Sequence, residues 1–137
     1  MVATFENIRI NQLSGEGTAW FRDLLAVIET LDAGAYSARM ADDVELVLNG
    51  EVTMRGREAV RDGLAAAWEP LSSLSHDEAN IYGTDRHFVH ETVVRTETSD
   101  GQKDVSASTI WIDRDDEGRL SAARIYQDPG DGTEESS

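Results

Sequence analysis

Apolar residues recur with two different periods along this chain, and the change of period divides it. Trp20, Leu24, Val27, Ile28 and Leu31 follow one another at helical steps, with Phe21 and Leu25 beside them. That spacing predicts a helix from about Ala19 with one wide apolar face, capped by Thr18 and stopped by Gly34. Residues 1–13 carry little pattern and Ser14-Gly15-Glu16-Gly17-Thr18 reads as flexible, so 1–18 are expected to form an N-terminal lead. Tyr36–Met40 can form a short helical turn. Val44-Glu45-Leu46-Val47-Leu48 is a β-rich run ended by Asn49-Gly50, and Val52-Thr53-Met54 can return beside it. Gly56-Arg57-Glu58 then opens a second long helix, with Val60, Leu64, Ala67, Trp68 and Leu71 on one side and Pro70 closing it.

From His76 onward the pattern alternates. His76–Tyr82, His87–Thr98, Asp104–Asp113 and Arg119–Asp128 read as four extended segments joined by turn-rich connections, an antiparallel meander. Pro129-Gly130 and the small or acidic residues 131–137 read as a disordered tail over 130–137. Helices first and a long meander last predict an α+β fold in which a curved, mostly antiparallel sheet wraps around the helices as a half-barrel and encloses a pocket.

Composition narrows the function classes. The chain has 137 residues, enough for one substantial core, and carries 27 acidic against 12 basic side chains, a formal net charge of −15. So acidic a surface repels phosphate backbones and anionic lipid, which argues against nucleic acid and membrane as partners. Lys103 is the sole lysine, a composition that fits either a high-salt cytoplasm or ordinary charge-driven solubility. No cysteine is present, no apolar stretch approaches the roughly 18–20 residues of a membrane span, and the N-terminal residues resemble no signal segment. A cytoplasmic protein is expected.

The order of elements resembles the SnoaL-like and ketosteroid-isomerase-like group of the nuclear-transport-factor-two-like superfamily. Leu31-Asp32-Ala33-Gly34, Ala41-Asp42-Asp43-Val44-Glu45, Arg55-Gly56-Arg57-Glu58-Ala59-Val60, Asp115-Asp116-Glu117-Gly118-Arg119-Leu120 and Arg124-Ile125-Tyr126-Gln127-Asp128 carry the resemblance, over about residues 19–129. It implies a cone-shaped domain around an apolar cavity, often a homodimer packed sheet against sheet. The scaffold hosts isomerases, cyclases, dehydratases, epoxide hydrolases and non-catalytic binding domains, so function rests on individual positions. The oxyanion tyrosine of ketosteroid isomerases falls on Val27 or Leu24, their base on Leu48 and their second donor near Thr109. The Asp-Arg-Asp machinery of limonene-epoxide-hydrolase-like members falls on Ile125, Thr92 and Val94, and its water-holding pair on Leu46 and Leu48. The aspartate of SnoaL-like cyclases again falls near Ile125; Asp128, three residues on, faces the other way unless a bulge intervenes.

Alternation extends these positions into an expected cavity. Leu46, Leu48, His90, Thr92, Val94, Ala107, Thr109, Trp111, Ala123, Ile125 and Gln127 would point inward from the strands, and Trp20, Leu24, Val27, Leu64 and Trp68 from the helices. His90 is the only group there titrating near neutrality, an imidazole that desolvation can keep as a neutral base. His76, Tyr126 and Asp128 are further site candidates, whereas His87 beside Asp85 and Arg86 reads as solvated. The His87-x-x-His90 spacing puts its rings on opposite faces of a strand, against zinc, and the acidic run 113–117 lacks the spacing of a calcium loop. The expected activity is cofactor-independent proton transfer on a hydrophobic small molecule, in isomerisation, cyclisation or dehydration. His90 would act as acid/base, with Thr92, Thr109 and Gln127 orienting substrate oxygens. The alternative is a non-catalytic binding or dimerisation domain of the same fold.

Overall fold

The computed structural model describes residues 13–127. Most of the expected lead, Asp128 and the expected tail at 130–137 lie outside these residues. The elements run α1 (Gly15–Ile28), α2 (Ala33–Ser37), β1 (Met40–Leu48), β2 (Glu51–Arg55), α3 (Arg57–Trp68), β3 (Leu71–Gly83), β4 (His87–Thr98), β5 (Lys103–Arg114) and β6 (Leu120–Gln127). One six-stranded sheet has the order β2-β1-β6-β5-β4-β3. All neighbours are antiparallel except β1 and β6, the pair that joins the first hairpin to the meander. This is an α+β fold with the helices on one face of a mostly antiparallel sheet.

α1 begins a turn earlier than the apolar periodicity predicts, because Ser14 rather than Thr18 caps it. The Ser14 hydroxyl oxygen accepts from the Gly17 N–H at 3.1 Å, while the Ser14 N–H and hydroxyl donate to the two carboxylate oxygens of Asp85 at 2.8 and 2.7 Å. The approach is so close that a Cβ at Gly17 would lie 2.1 Å from Asp85 Oδ1. Gly34 does not end this helix. Leu31 makes the break by adopting φ 60°, and Asp32 then caps α2 by accepting from the Ala35 N–H at 3.0 Å. Gly34 consequently sits inside α2.

The core fills the space between the helices and the concave face of the sheet. Phe21, Leu24, Met40, Val44, Val60, Phe88, Ile112 and Leu120 are among its buried members. Phe21 and Phe88 meet edge to face with centroids 5.0 Å apart, which places α1 across β4. Met40 and Leu120, both fully buried, pair directly at the start of the parallel ladder.

Register decides which strand residues face this core. Along the β4–β5 hairpin even-numbered residues oppose even-numbered ones: Phe88 pairs with Ile112, His90 with Ile110, Thr92 with Ser108 and Val94 with Ser106. Cross-strand partners share a face, so Ser108, Ile110 and Ile112 point inward, and the expected Ala107, Thr109 and Trp111 point outward. The expectation for β5 was one residue out of phase, since the length of the connection between Glu97 and Lys103 sets this register and alternation within β5 does not. In β3 a bulge between Asp77 and Asn80 resets the phase, so that both His76 and Ile81 face inward. The Thr92 hydroxyl donates to the Asp77 carbonyl at this bulge.

Truncating Leu120 to alanine removes a fully buried side chain from the β1–β6 junction. The expected cost is about 3 kcal/mol of unfolding free energy with an unchanged denaturant slope, checked by urea titration.

Candidate functional site

A cavity of about 570 Å³ lies between the concave sheet and the helices. Helix α1 supplies Phe21, Leu24, Leu25 and Ile28, α2 supplies Tyr36, and α3 supplies Gly63, Leu64, Ala67 and Trp68. The sheet contributes Leu46, Leu48, Thr53, Met54, Leu74, His76, Val94, Ser108, Ile110, Ile112, Ala123, Ile125 and Gln127. Leu48, Thr53 and Ala67 are also solvent-exposed, so they mark its rim. The walls are thus overwhelmingly apolar, with a few polar points, the composition of a small-molecule site.

His76 is the imidazole in the wall, and it is held from behind. Glu29 Oε2 accepts from the His76 backbone N–H at 2.8 Å and lies 3.0 Å from Nδ1 of its ring. A carboxylate can only accept, so the neutral ring carries its proton on Nδ1 and keeps a lone pair on Nε2. Glu29 itself follows the last residue of α1, so the helix end and the edge strand are joined through this histidine.

His90 lies deeper. It is 1% exposed, meets Phe21 edge to face at 4.9 Å, and its ring centre is 6.5 Å from that of His76. Among the described residues its Nδ1 has no hydrogen-bond partner. Burial, and secondarily the facing His76, push its pKa down to about 4, so it is neutral at physiological pH. His90 is absent from the cavity wall, which it supports through Phe21 and His76.

The remaining expected site residues divide between the cavity and other places. Leu24, Leu46, Leu48, Leu64, Trp68, Ile125 and Gln127 line the cavity, and the Gln127 side-chain amide donates to Ser106 Oγ at 2.8 Å. Trp20 does not line it: its indole N–H donates to the Gly118 carbonyl at 2.7 Å and Arg114 lies over its ring at 4.8 Å. Val27 packs against the core without reaching the cavity. Thr92 is buried at the β3 bulge rather than in the wall. Thr109, Trp111 and Tyr126 lie on the convex face, where Trp111 is 47% and Tyr126 45% exposed. His87 is on that side too, with Nδ1 2.9 Å from Asp113, which also receives Arg124 at 3.2 Å.

Glu29, behind the wall, and Tyr36 and Ser108, within it, are among the polar groups that pattern reading missed. Ser108 follows from the hairpin register once the connection is known. Tyr36 was placed on a helical turn with no face to assign it. Glu29 stands 47 residues from His76, and no local signal joins them. Among the described residues no group of three or more His, Asp or Glu side chains could hold a metal ion, and no helix is long and apolar enough to cross a membrane.

No protein-family model matches the chain, and no curated protein matches it in sequence. Solved structures do. A protein from Shewanella denitrificans assigned as a SnoaL-like polyketide cyclase superposes with a TM-score of 0.76 at 10% identity, covering 84% of this chain and 92% of that one. A Mycobacterium tuberculosis protein in complex with estradiol-17beta-hemisuccinate gives 0.72 at 16% identity, covering 85% and 96%. A ketosteroid-isomerase-like protein from Catenulispora acidiphila in complex with trimethylamine gives 0.64 at 15%, covering 84% and 86%. These likenesses establish the fold as that of the SnoaL-like and ketosteroid-isomerase-like proteins.

The depressed His90 pKa has a consequence for stability. An unfolded histidine takes up its proton near 6.5, and the folded one only near 4. This group's contribution is therefore complete above about pH 6.5 and is lost as pH falls to about 4, by on the order of 3 kcal/mol. In His90→Phe that part of the acid limb disappears, so the stability difference between wild type and variant changes across this window in denaturant titrations. Parallel pH profiles would contradict the assignment.

Proposed function

We propose that the cavity binds a hydrophobic small molecule and catalyses a cofactor-independent proton transfer on it, with His76 as the acid/base. The observation that carries this reading is the Glu29–His76 contact within an apolar wall. A base needs a free lone pair facing the reactant, a fixed ring orientation and a counter-charge for the cation it becomes. With the proton on Nδ1 the lone pair is on Nε2, and Glu29 supplies the other two through its double contact with the backbone and ring of His76. His90 remains neutral behind it and adds no positive charge when His76 takes up a proton. The role expected for His90 thus passes to the neighbouring histidine, one strand over and in the wall itself. Isomerisation, cyclisation and dehydration all begin with such a transfer. The steroid body of the conjugate bound by the structurally similar Mycobacterium protein supports a hydrophobic ligand.

One feature favours the competing reading of a binding domain without catalysis: among the described residues no Asp, Glu, Lys or Arg lines the cavity. Turnover of 5-nitrobenzisoxazole, a compact apolar substrate opened by abstraction of one carbon-bound proton, separates the two. His76→Asn is expected to lower the rate by about 10²-fold or more and Glu29→Gln by a smaller factor, both retaining the fold. Equal rates in wild type and His76→Asn overturn the catalytic assignment and leave the binding reading.

We also infer a homodimer through the convex face of the sheet. Tyr82, Val105, Trp111 and Tyr126 are exposed there, large apolar surface that a second copy would cover. Trp111→Asp is expected to convert a dimer to a monomer in sedimentation velocity without lowering cavity affinity. A wild type that sediments as a monomer excludes the interface.

A further inference from the structure

Helix α3 carries a glycine near its middle, on the side that faces the cavity. Proline apart, no residue weakens a helix interior more. The Gly63 backbone is ordinary helix, so no unusual dihedral angle requires a glycine there. Space does. A Cβ at Gly63 would collide with Met54 Sδ and would lie 3.2 Å from its Cε and 3.4 Å from its Cγ. The thioether therefore rests on the helix backbone itself, in the notch that the missing side chain leaves.

The contact stands just inside the mouth of the cavity. Met54 belongs to β2, the outermost strand on this side of the sheet, and pairs with Leu46 of β1. Met54, Leu46 and Gly63 all line the cavity. Thr53, which precedes Met54, and Ala67, one helical turn beyond Gly63, are exposed at its rim. Met54 is half-buried, and its unbranched side chain has three rotatable bonds and no strongly polar atom, so packing alone fixes its position. With the helix on one side and Leu46 on the other, a thioether lifted off Gly63 has the cavity to move into.

We propose that Met54 is the residue that sets the size limit of the cavity, and that Gly63 is the positioning residue that holds it back. Seated in its notch, the thioether leaves the end beside the rim open to bulky apolar ligands of several fused rings. Small ligands that stay in the interior do not meet it. The inference rests on reading the cavity as a ligand site and is independent of the proton-transfer step.

The test titrates the full chain with naphthalene and pyrene, uncharged hydrocarbons of two and four fused rings, followed by their own fluorescence. Gly63→Ala is expected to weaken pyrene by about tenfold and naphthalene by less than about twofold. In Gly63→Ala/Met54→Ala the new methyl meets no thioether, and pyrene should bind at least as tightly as to wild type. Met54→Ala alone, which crowds nothing and keeps the helix glycine, is expected to raise the affinity for pyrene relative to naphthalene. A glycine present only to let strand and helix approach predicts that Gly63→Ala changes both affinities alike or neither, and either result overturns the proposal. So does a loss of pyrene affinity that persists in the double variant, or an unchanged ratio in Met54→Ala. Binding of naphthalene by wild type shows that the cavity reading survives such a failure. If wild type binds neither hydrocarbon, the cavity reading and this proposal fall together.

Discussion

Helix α1 is tied to the sheet at both ends by a carboxylate, and the cavity depends on that double attachment. At its start Asp85, in the β3–β4 connection, receives the N–H and hydroxyl of Ser14. At its end Glu29 receives the backbone N–H of His76 in β3. The two ties work in opposite directions, one carboxylate reaching from the sheet to the helix and the other from the helix to the sheet. Between them Phe21 and Leu24 are pressed into the concave face, and Phe21 meets both Phe88 and His90 edge to face. A helix held only by apolar contacts could slide or rotate along the strands, because burial is non-directional. Hydrogen-bonded ends remove that freedom and give the cavity a wall of definite shape.

The second contact of Glu29 makes the same attachment chemically consequential. The oxygen that holds the strand also lies 3.0 Å from the imidazole, so the orientation of His76 is built into the joint between helix and sheet. The bulge in β3 is the other requirement. Without the extra residue between Asp77 and Asn80, strict alternation from Ile81 would turn His76 outward. With it, His76 faces the cavity while Asp77 faces out and pairs with Arg95 at 3.0 Å.

Charge and apolarity are segregated on this scaffold. Arginines pair with carboxylates on the outside, as in Arg55–Glu45, Arg61–Asp62 and Arg95–Asp77, and such exposed pairs each contribute little to stability. Among the described residues the cavity wall contains no carboxylate, lysine or arginine, and its polar side chains carry hydroxyls, one amide and one imidazole. A neutral interior within so acidic a shell favours ligands that carry no negative charge at either stage, approach or binding.

Much of the fold was legible in the chain before any tertiary contact was known. Helical spacing from Trp20 to Leu31, alternation from His87 to Thr98 and the turn residues between the last four strands determined the element order and the α+β class. Alternation also determined which residues of β4 and β6 share a face, since period two is a property of the strand itself. It could not phase one strand against the next. That phase is set by connection length and by bulges, which is why Thr109 and Trp111 were expected where Ser108 and Ile110 stand. Only the tertiary structure decided the candidate site. The Glu29–His76 contact joins residues 47 positions apart, and the burial of Tyr36 depends on how α2 packs against α3. Local pattern records what each segment prefers to bury; which groups meet follows from where the segments lie on one another.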